Sequence, residues 1–134
     1  MQDALTQVEQ LYAMHQDYGE ALPVFSLVYG WLKANAPECA SPALVHGDFR
    51  LGNFLITDNG LQGVLDWELT HLGDPMEDLG WLCVNAWRFG RRHLPVAGID
   101  SRGALCLSYQ AATGITVDPL HARYWELLGT FKWG

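Results

Sequence analysis

Apolar positions recur at two different periods along the chain, and the change of period locates the interesting stretch. From Ala4 to Tyr18, Leu5, Val8, Leu11, Tyr12 and His15 fall three or four apart, the spacing of one helix face, with Gly19 as a stop. Pro23 suits the first turn of a second helix, Val24 to Asn35, with Phe25, Val28 and Leu32 inward and Tyr29 and Trp31 nearby; Pro37 and the loop ECASP end it. The period then shortens. Ala43-Leu44-Val45 reads as a short strand, Asn53 to Ile56 as another and Leu61 to Leu65 as a third. Between the last two, Thr57-Asp58-Asn59-Gly60 predicts a hairpin whose Asn-Gly pair takes positive φ. Thr70 to Asp74 reads as a loop. Asp74-Pro75-Met76-Glu77 then supplies a cap, a proline at the first helical position and an acid in the first turn of a helix running to about Trp87, with Leu79, Leu82, Cys83 and Ala86 as its stripe. A loop from Gly90 to Gly98 precedes a helix from Ser101 to Thr113 that stops at Gly114, and Asp118-Pro119 opens a last helix, Leu120 to Trp133. The expected fold class is α+β and mainly helical, with a small β-hairpin beside a polar loop.

Composition narrows the possible functions. With 134 residues, 49% hydrophobic and 17% charged, the chain can bury a core and suits one domain, 1–134. The net charge of −7 and the lack of any basic run beyond Arg91-Arg92 exclude a nucleic-acid partner from the expectation. An acidic protein can still hold phosphates when a metal ion supplies the positive charge. Cys39, Cys83 and Cys106 are odd in number and widely spaced, which fits reduced thiols in a cytoplasmic protein better than disulfides or zinc. No secretory leader pattern and no apolar stretch of membrane-spanning length occurs, so no membrane partner is expected.

The chemistry gathers in Val45 to Glu68, VHGDFRLGNFLITDNGLQGVLDWE. The hairpin should bring Asn53, near its start, opposite Asp66, at its end, and His46 and Asp48 precede them in the same loop. Phosphoryl transfer to a hydroxyl needs a carboxylate near the acceptor, oxygen ligands for Mg²⁺ and alignment. Asp48 can take or orient the hydroxyl proton, Asn53 offers a neutral oxygen and Asp66 a charged one, a set that hard cations prefer. Arg50 can contact a phosphate or pair with a neighbouring acid, and Glu68 is either an outer partner of the metal or a solvated acid. Asp74 is accounted for by helix capping, and Asp78, one turn into its helix among apolar residues, by a buried hydrogen-bonded role. His71 is expected to be structural. Arg88, Arg91, Arg92 and His93 form the only basic cluster, read as a solvated loop in preference to a receptor for a CoA phosphate. Trp81, Trp87, Trp125 and Trp133 are read as core or domain contacts in preference to an acceptor pocket.

HGDFRLGN followed by VLDWE resembles the catalytic loop and metal-binding segment of the aminoglycoside phosphotransferase-like family, a small-molecule branch of the protein-kinase-like fold. The likeness extends through GDPMEDLGWL, and the wording is most similar to the kinase-like proteins associated with acyl-CoA dehydrogenases. The resemblance implies the carboxyl-terminal lobe of a kinase-like fold. It implies Asp48 as catalytic base, and Asn53 and Asp66 as ligands of Mg²⁺ bridging the phosphates of ATP. His46 supports the loop, and Asp78 is a structural acid beneath it. A hydroxyl of a small molecule, such as a hydroxyacyl-CoA or an aminoglycoside-like compound, is the implied acceptor. The sequence departs from the family in having no glycine-rich nucleotide-covering motif and no strand lysine, its lysines being Lys33 and Lys132. The expectation is therefore an isolated or truncated lobe, weakly active alone and able to self-associate through an exposed face. Two alternatives stand beside it: a non-catalytic pseudokinase or binding module, and a metal-dependent hydrolase using His46, Asp48, His71 and Asp74. The presence of Asp48, Asn53 and Asp66 together argues against the first, and the lack of a second His-x-Asp or His-x-x-x-His set against the other.

Overall fold

The structure, a computed structural model, describes residues 1–17, 23–39, 41–84, 88, 90–91 and 93–133, without the side chains of residues 16, 17 and 133. Two helices open it, α1 (Ala4–Asp17) and α2 (Pro23–Ala34). Strand β1 (Ala43–Val45) leads into the polar loop, which closes with a single 3-10 turn at Leu51–Asn53. The hairpin β2 (Phe54–Thr57) and β3 (Gly60–Val64) follows, then β4 (His71–Gly73) and α3 (Met76–Leu82). Helices α4 (Arg102–Thr113) and α5 (Pro119–Trp133) complete the order. The α+β, mainly helical class expected from the sequence is the class observed.

Three local expectations need correction. His71–Gly73 is a strand where the sequence suggests a loop: it pairs antiparallel with β1, Val45 opposite His71 and Ala43 opposite Gly73. Three residues carry no readable alternation, and the partner strand lies far away in the chain, so the pairing is invisible locally. The hairpin turns at Asp58-Asn59 instead of Asn59-Gly60. Thr57 pairs with Gly60, Gly60 alone has positive φ (97°), and the register shifts between Leu55 and Ile56. Helix α3 ends at Leu82, with Cys83 as its cap, well before Trp87. Tyr18, Gly19, Ala86, Trp87 and Arg92, named above, lie outside the described residues.

The main core joins α1, α2, α3 and α5 through Val8, Leu11, Tyr29, Leu32, Met76, Leu79, Trp125 and Leu128. Of the stripe expected on α1, Val8 and Leu11 are buried, whereas Leu5 and Tyr12 face outward. Tyr29 and Tyr124 enter this core with their hydroxyls satisfied, donating to the carbonyls of Leu11 (3.0 Å) and Leu32 (2.6 Å). Helices α3 and α5 approach closely because Gly80 lacks a side chain: a Cβ there would stand 2.6 Å from the backbone nitrogen of Glu126. A second cluster, Leu82, Cys83, Val96 and Ala97, takes in Phe49, Leu51 and Phe54. The apolar residues of the polar loop thus anchor it from below.

Asp74 does more than cap α3. Its Oδ1 accepts from the Met76 amide at 2.9 Å, while Oδ2 accepts from Trp125 Nε1 at 3.1 Å and bonds His121 Nε2, both on α5. Asp74 is 2% exposed, so this carboxylate is a buried junction between the two helices. Glu126 plays a similar part, accepting from Arg88 Nη2 (3.0 Å) and from Arg102 Nε (2.8 Å) and Nη2 (2.7 Å). Arg88 therefore turns inward, where the sequence suggested a solvated loop; Arg91 and His93 are exposed.

Candidate active site

The loop from His46 to Asn53 is held from three directions. Beneath it, Asp78 on α3 accepts the backbone N–H of His46 (2.8 Å) and of Gly47 (3.0 Å) on its two carboxylate oxygens. Gly47 has φ 92°, and a Cβ there would stand 2.5 Å from the Leu69 carbonyl oxygen, so no other residue fits. At one end, the His46 imidazole bridges loop and hairpin. The Asp48 amide donates to Nδ1 at 3.1 Å, which leaves Nε2 as the protonated nitrogen that donates to the Leu65 carbonyl at 2.9 Å. His46 is 2% exposed, with the Trp67 ring 4.6 Å from its own. At the other end, the Leu65 amide donates to the Asn53 carbonyl at 2.7 Å, extending the hairpin ladder until Asn53 lies beside the segment that carries Asp66.

Asp48 projects from this frame with its carboxylate already oriented. Oδ1 accepts from Trp81 Nε1 (3.0 Å) and Arg50 Nε (3.2 Å), and Oδ2 from Asn53 Nδ2 (2.9 Å). The side chain remains 18% exposed, enough to meet a ligand. Asn53 is buried, and its Nδ2 also donates to the Asp48 carbonyl at 2.8 Å. Both bonds use the amide nitrogen, so the carboxamide oxygen is the end left for a cation. Asp66 is exposed and has φ 60°, a left-handed backbone unusual for a residue with a side chain. Glu68 is exposed, with no hydrogen-bond partner among the described residues. A neutral oxygen from Asn53 and a carboxylate from Asp66 suit Mg²⁺, which keeps most of its octahedron for water and phosphate.

Trp81 is the residue that sequence reasoning did not place here. The one signal pointing to it was its position three after Asp78, on the same face of α3 that holds the loop.

His71 belongs to a separate network. Its Nδ1 faces the Leu69 carbonyl (2.7 Å) and its Nε2 faces Glu77 Oε2 (2.7 Å). Gln7 also donates to Glu77 Oε2 at 3.0 Å and accepts from Lys132 Nζ at 2.6 Å. Burial opposes protonation of His71, but the bonds to Leu69 and Glu77 outweigh it and hold the imidazole above its ordinary pKa. His46 and Asp48 share one network, whereas His71 and Asp74 are engaged in two others. Among the described residues no three His, Cys, Asp or Glu side chains gather to hold a metal, the arrangement a hydrolase of that type would require. Cys83 is buried, and its thiol is pushed up to about 12, burial being the main cause and Glu126 the next.

The model of the phosphotransferase enzyme family matches residues 2–113. Acyl-CoA dehydrogenase family member 11 of Homo sapiens is 39% identical over 132 residues, covering 90% of this chain and 16% of that protein. The same family member of Pongo abelii is 30% identical over 133 residues, with the same coverage of 90% and 16%. A solved Ralstonia eutropha structure, assigned as an aminoglycoside phosphotransferase, superposes with a TM-score of 0.72 at 25% identity, over 96% of this chain and 45% of that one. The chain therefore spans less than half the length of each of these relatives. With the kinase-like fold and the family model in agreement, the chain belongs to the phosphotransferase enzyme family.

Proposed function

We propose that this chain carries the catalytic-loop half of an ATP- and Mg²⁺-dependent phosphotransferase acting on a hydroxyl of a small molecule. The observation that carries the reading is Asp48: an accessible carboxylate, fixed by three donors, on a loop whose backbone is clamped by Asp78. In this reading Asp48 takes the acceptor's hydroxyl proton as the acceptor oxygen bonds phosphorus and ADP leaves with the electron pair of the broken bond. Asn53 Oδ1 and the Asp66 carboxylate would hold Mg²⁺, which when bound neutralises charge on the phosphates. His46 and Asp78 keep the loop in register, and Arg50 balances the charge of Asp48. The acceptor class we infer is a hydroxyacyl-CoA or an aminoglycoside-like compound, after one relative whose name carries acyl-CoA and a solved structure whose name carries aminoglycoside.

The test is phosphate transfer from Mg·ATP, followed by ³¹P spectroscopy with a hydroxyacyl-CoA, an aminoglycoside or water as acceptor. Asp48→Asn should lower turnover by about 10²–10⁴-fold, the usual contribution of a positioned acid or base. Undiminished turnover in that variant would overturn the reading. Omission of Mg²⁺ should abolish transfer.

A further inference from the structure

Three donors orient Asp48, and they are not equivalent. Arg50 and Asn53 lie two and five residues further along the same loop and move with it. Trp81 lies 33 residues away on α3, so among these donors its indole alone ties the carboxylate to the helical frame. The same helix, one turn earlier, holds the loop backbone through Asp78. An indole N–H suits this task. It donates one bond, accepts none and carries no charge, so it orients the carboxylate without neutralising it.

The two carboxylate oxygens are also unequally used. Each offers about two acceptor sites. Oδ1 accepts from both Trp81 and Arg50, whereas Oδ2 accepts only from Asn53 among the described residues. The seat of the indole is built from the far side by α5. A Cβ at Gly129 would stand 2.9 Å from Trp81 Cε3 and 3.0 Å from Val84 Cγ2, so the glycine makes room for the ring.

From this we infer that Trp81, seated against Gly129, is a positioning residue that fixes Asp48 Oδ1 and leaves Oδ2 as the oxygen that receives the acceptor's proton. The inference rests on the reading of Asp48 as the catalytic carboxylate, and its test is chosen to separate the two.

In ¹H–¹⁵N spectra of the whole chain, the Trp81 indole signal is identified by its loss in Trp81→Phe, and the Asn53 carboxamide pair by its loss in Asn53→Asp. Asp48→Asn should move the Trp81 indole signal upfield. Trp81→Phe and Gly129→Ala should each move the Asn53 carboxamide, because freeing Oδ1 lets the carboxylate turn at Oδ2. An indole signal indifferent to Asp48→Asn, or an Asn53 carboxamide unmoved by both other changes, overturns the inference. Should Trp81→Phe not fold, Gly129→Ala, whose methyl would meet the back of the ring and Val84 Cγ2, decides alone. These signals require no turnover. Where turnover with Mg·ATP is measured, Trp81→Phe should lower kcat about tenfold to a hundredfold, the cost of a misplaced group, with KM for Mg·ATP changed less than about twofold. A KM effect with kcat intact would count against positioning. Turnover surviving Asp48→Asn would sink the phosphotransferase role of Asp48 while leaving the spectral test of Trp81 standing.

Discussion

At the scale of single residues, the loop is built by groups that satisfy one another, so individual changes have calculable effects. His46 accepts from the Asp48 amide and donates to the Leu65 carbonyl. His46→Ala leaves both part-buried groups without these partners and should cost about 1–3 kcal/mol, readable as a lower urea midpoint. Gly47→Ala meets both a positive φ and the Leu69 carbonyl, and should cost at least about 2 kcal/mol. Cys83, with its thiol far above neutrality, should resist alkylation at pH 8 in the folded chain and react only once unfolded. His46, Asp48, Asn53 and Asp66 could all be named from the sequence as candidates, because short apolar runs frame them and a loop so framed gains nothing in packing from polar side chains. Trp81 could not. Tryptophan at helical spacing reads as core, and only the tertiary approach of α3 to the loop turns its N–H toward a carboxylate.

At the scale of elements, the helices were legible because their apolar period and caps are local properties of the chain. Ser101, read from the sequence as the first residue of α4, is its cap and accepts from the Ala104 amide at 3.1 Å, and Gly114 closes the helix in the left-handed region, φ 73°, the stop the sequence suggested. Strand β4 and the end of α3 were not legible, because both are decided by distant partners. Asp74 illustrates the limit. Its local role as a cap was readable, whereas its bonds to His121 and Trp125 on α5 were not. Asp74→Ala should therefore cost more than the ~1 kcal/mol of a lost cap and reach about 3 kcal/mol, since buried donors on α5 lose their acceptor. Chemical denaturation of Asp74→Ala beside Asp118→Ala, a cap of similar type on the exposed start of α5, would check the difference. Equal losses would contradict it.

For the whole molecule, the network of Gln7, His71, Glu77 and Lys132 couples α1, β4, α3 and α5, and it titrates. Unfolded imidazole has a pKa of about 6.5, and that of folded His71 lies above this value. Between the two the folded state binds more protons, so this contribution is complete below about pH 6.5 and is lost as pH rises through the folded value. Unfolding free energy measured across that window should fall with pH, and His71→Gln should flatten the fall. A slope of opposite sign would remove His71 as its origin. An exposed apolar set comprises Leu44 and Leu72, opposite each other on β1 and β4, with Leu55, Ile56, Leu65 and Trp67 on or beside the hairpin. We propose that it mediates self-association, so sedimentation should depend on concentration, and a strict monomer would refute this. Among the described residues no helix is long and apolar enough to cross a membrane.

The left-handed backbone of Asp66 has a consequence for how this protein would respond to laboratory evolution. A residue with a side chain at φ 60° holds a conformation that glycine adopts without steric cost. Asp66→Gly should therefore raise stability by about 0.5–1 kcal/mol, or about 3 °C in Tm, even though it removes the carboxylate assigned to the metal. A library screened only for survival of heating would drift toward glycine at this position. It would return sturdier proteins with an emptied site, so any thermostabilisation campaign on this scaffold has to score chemistry in every round.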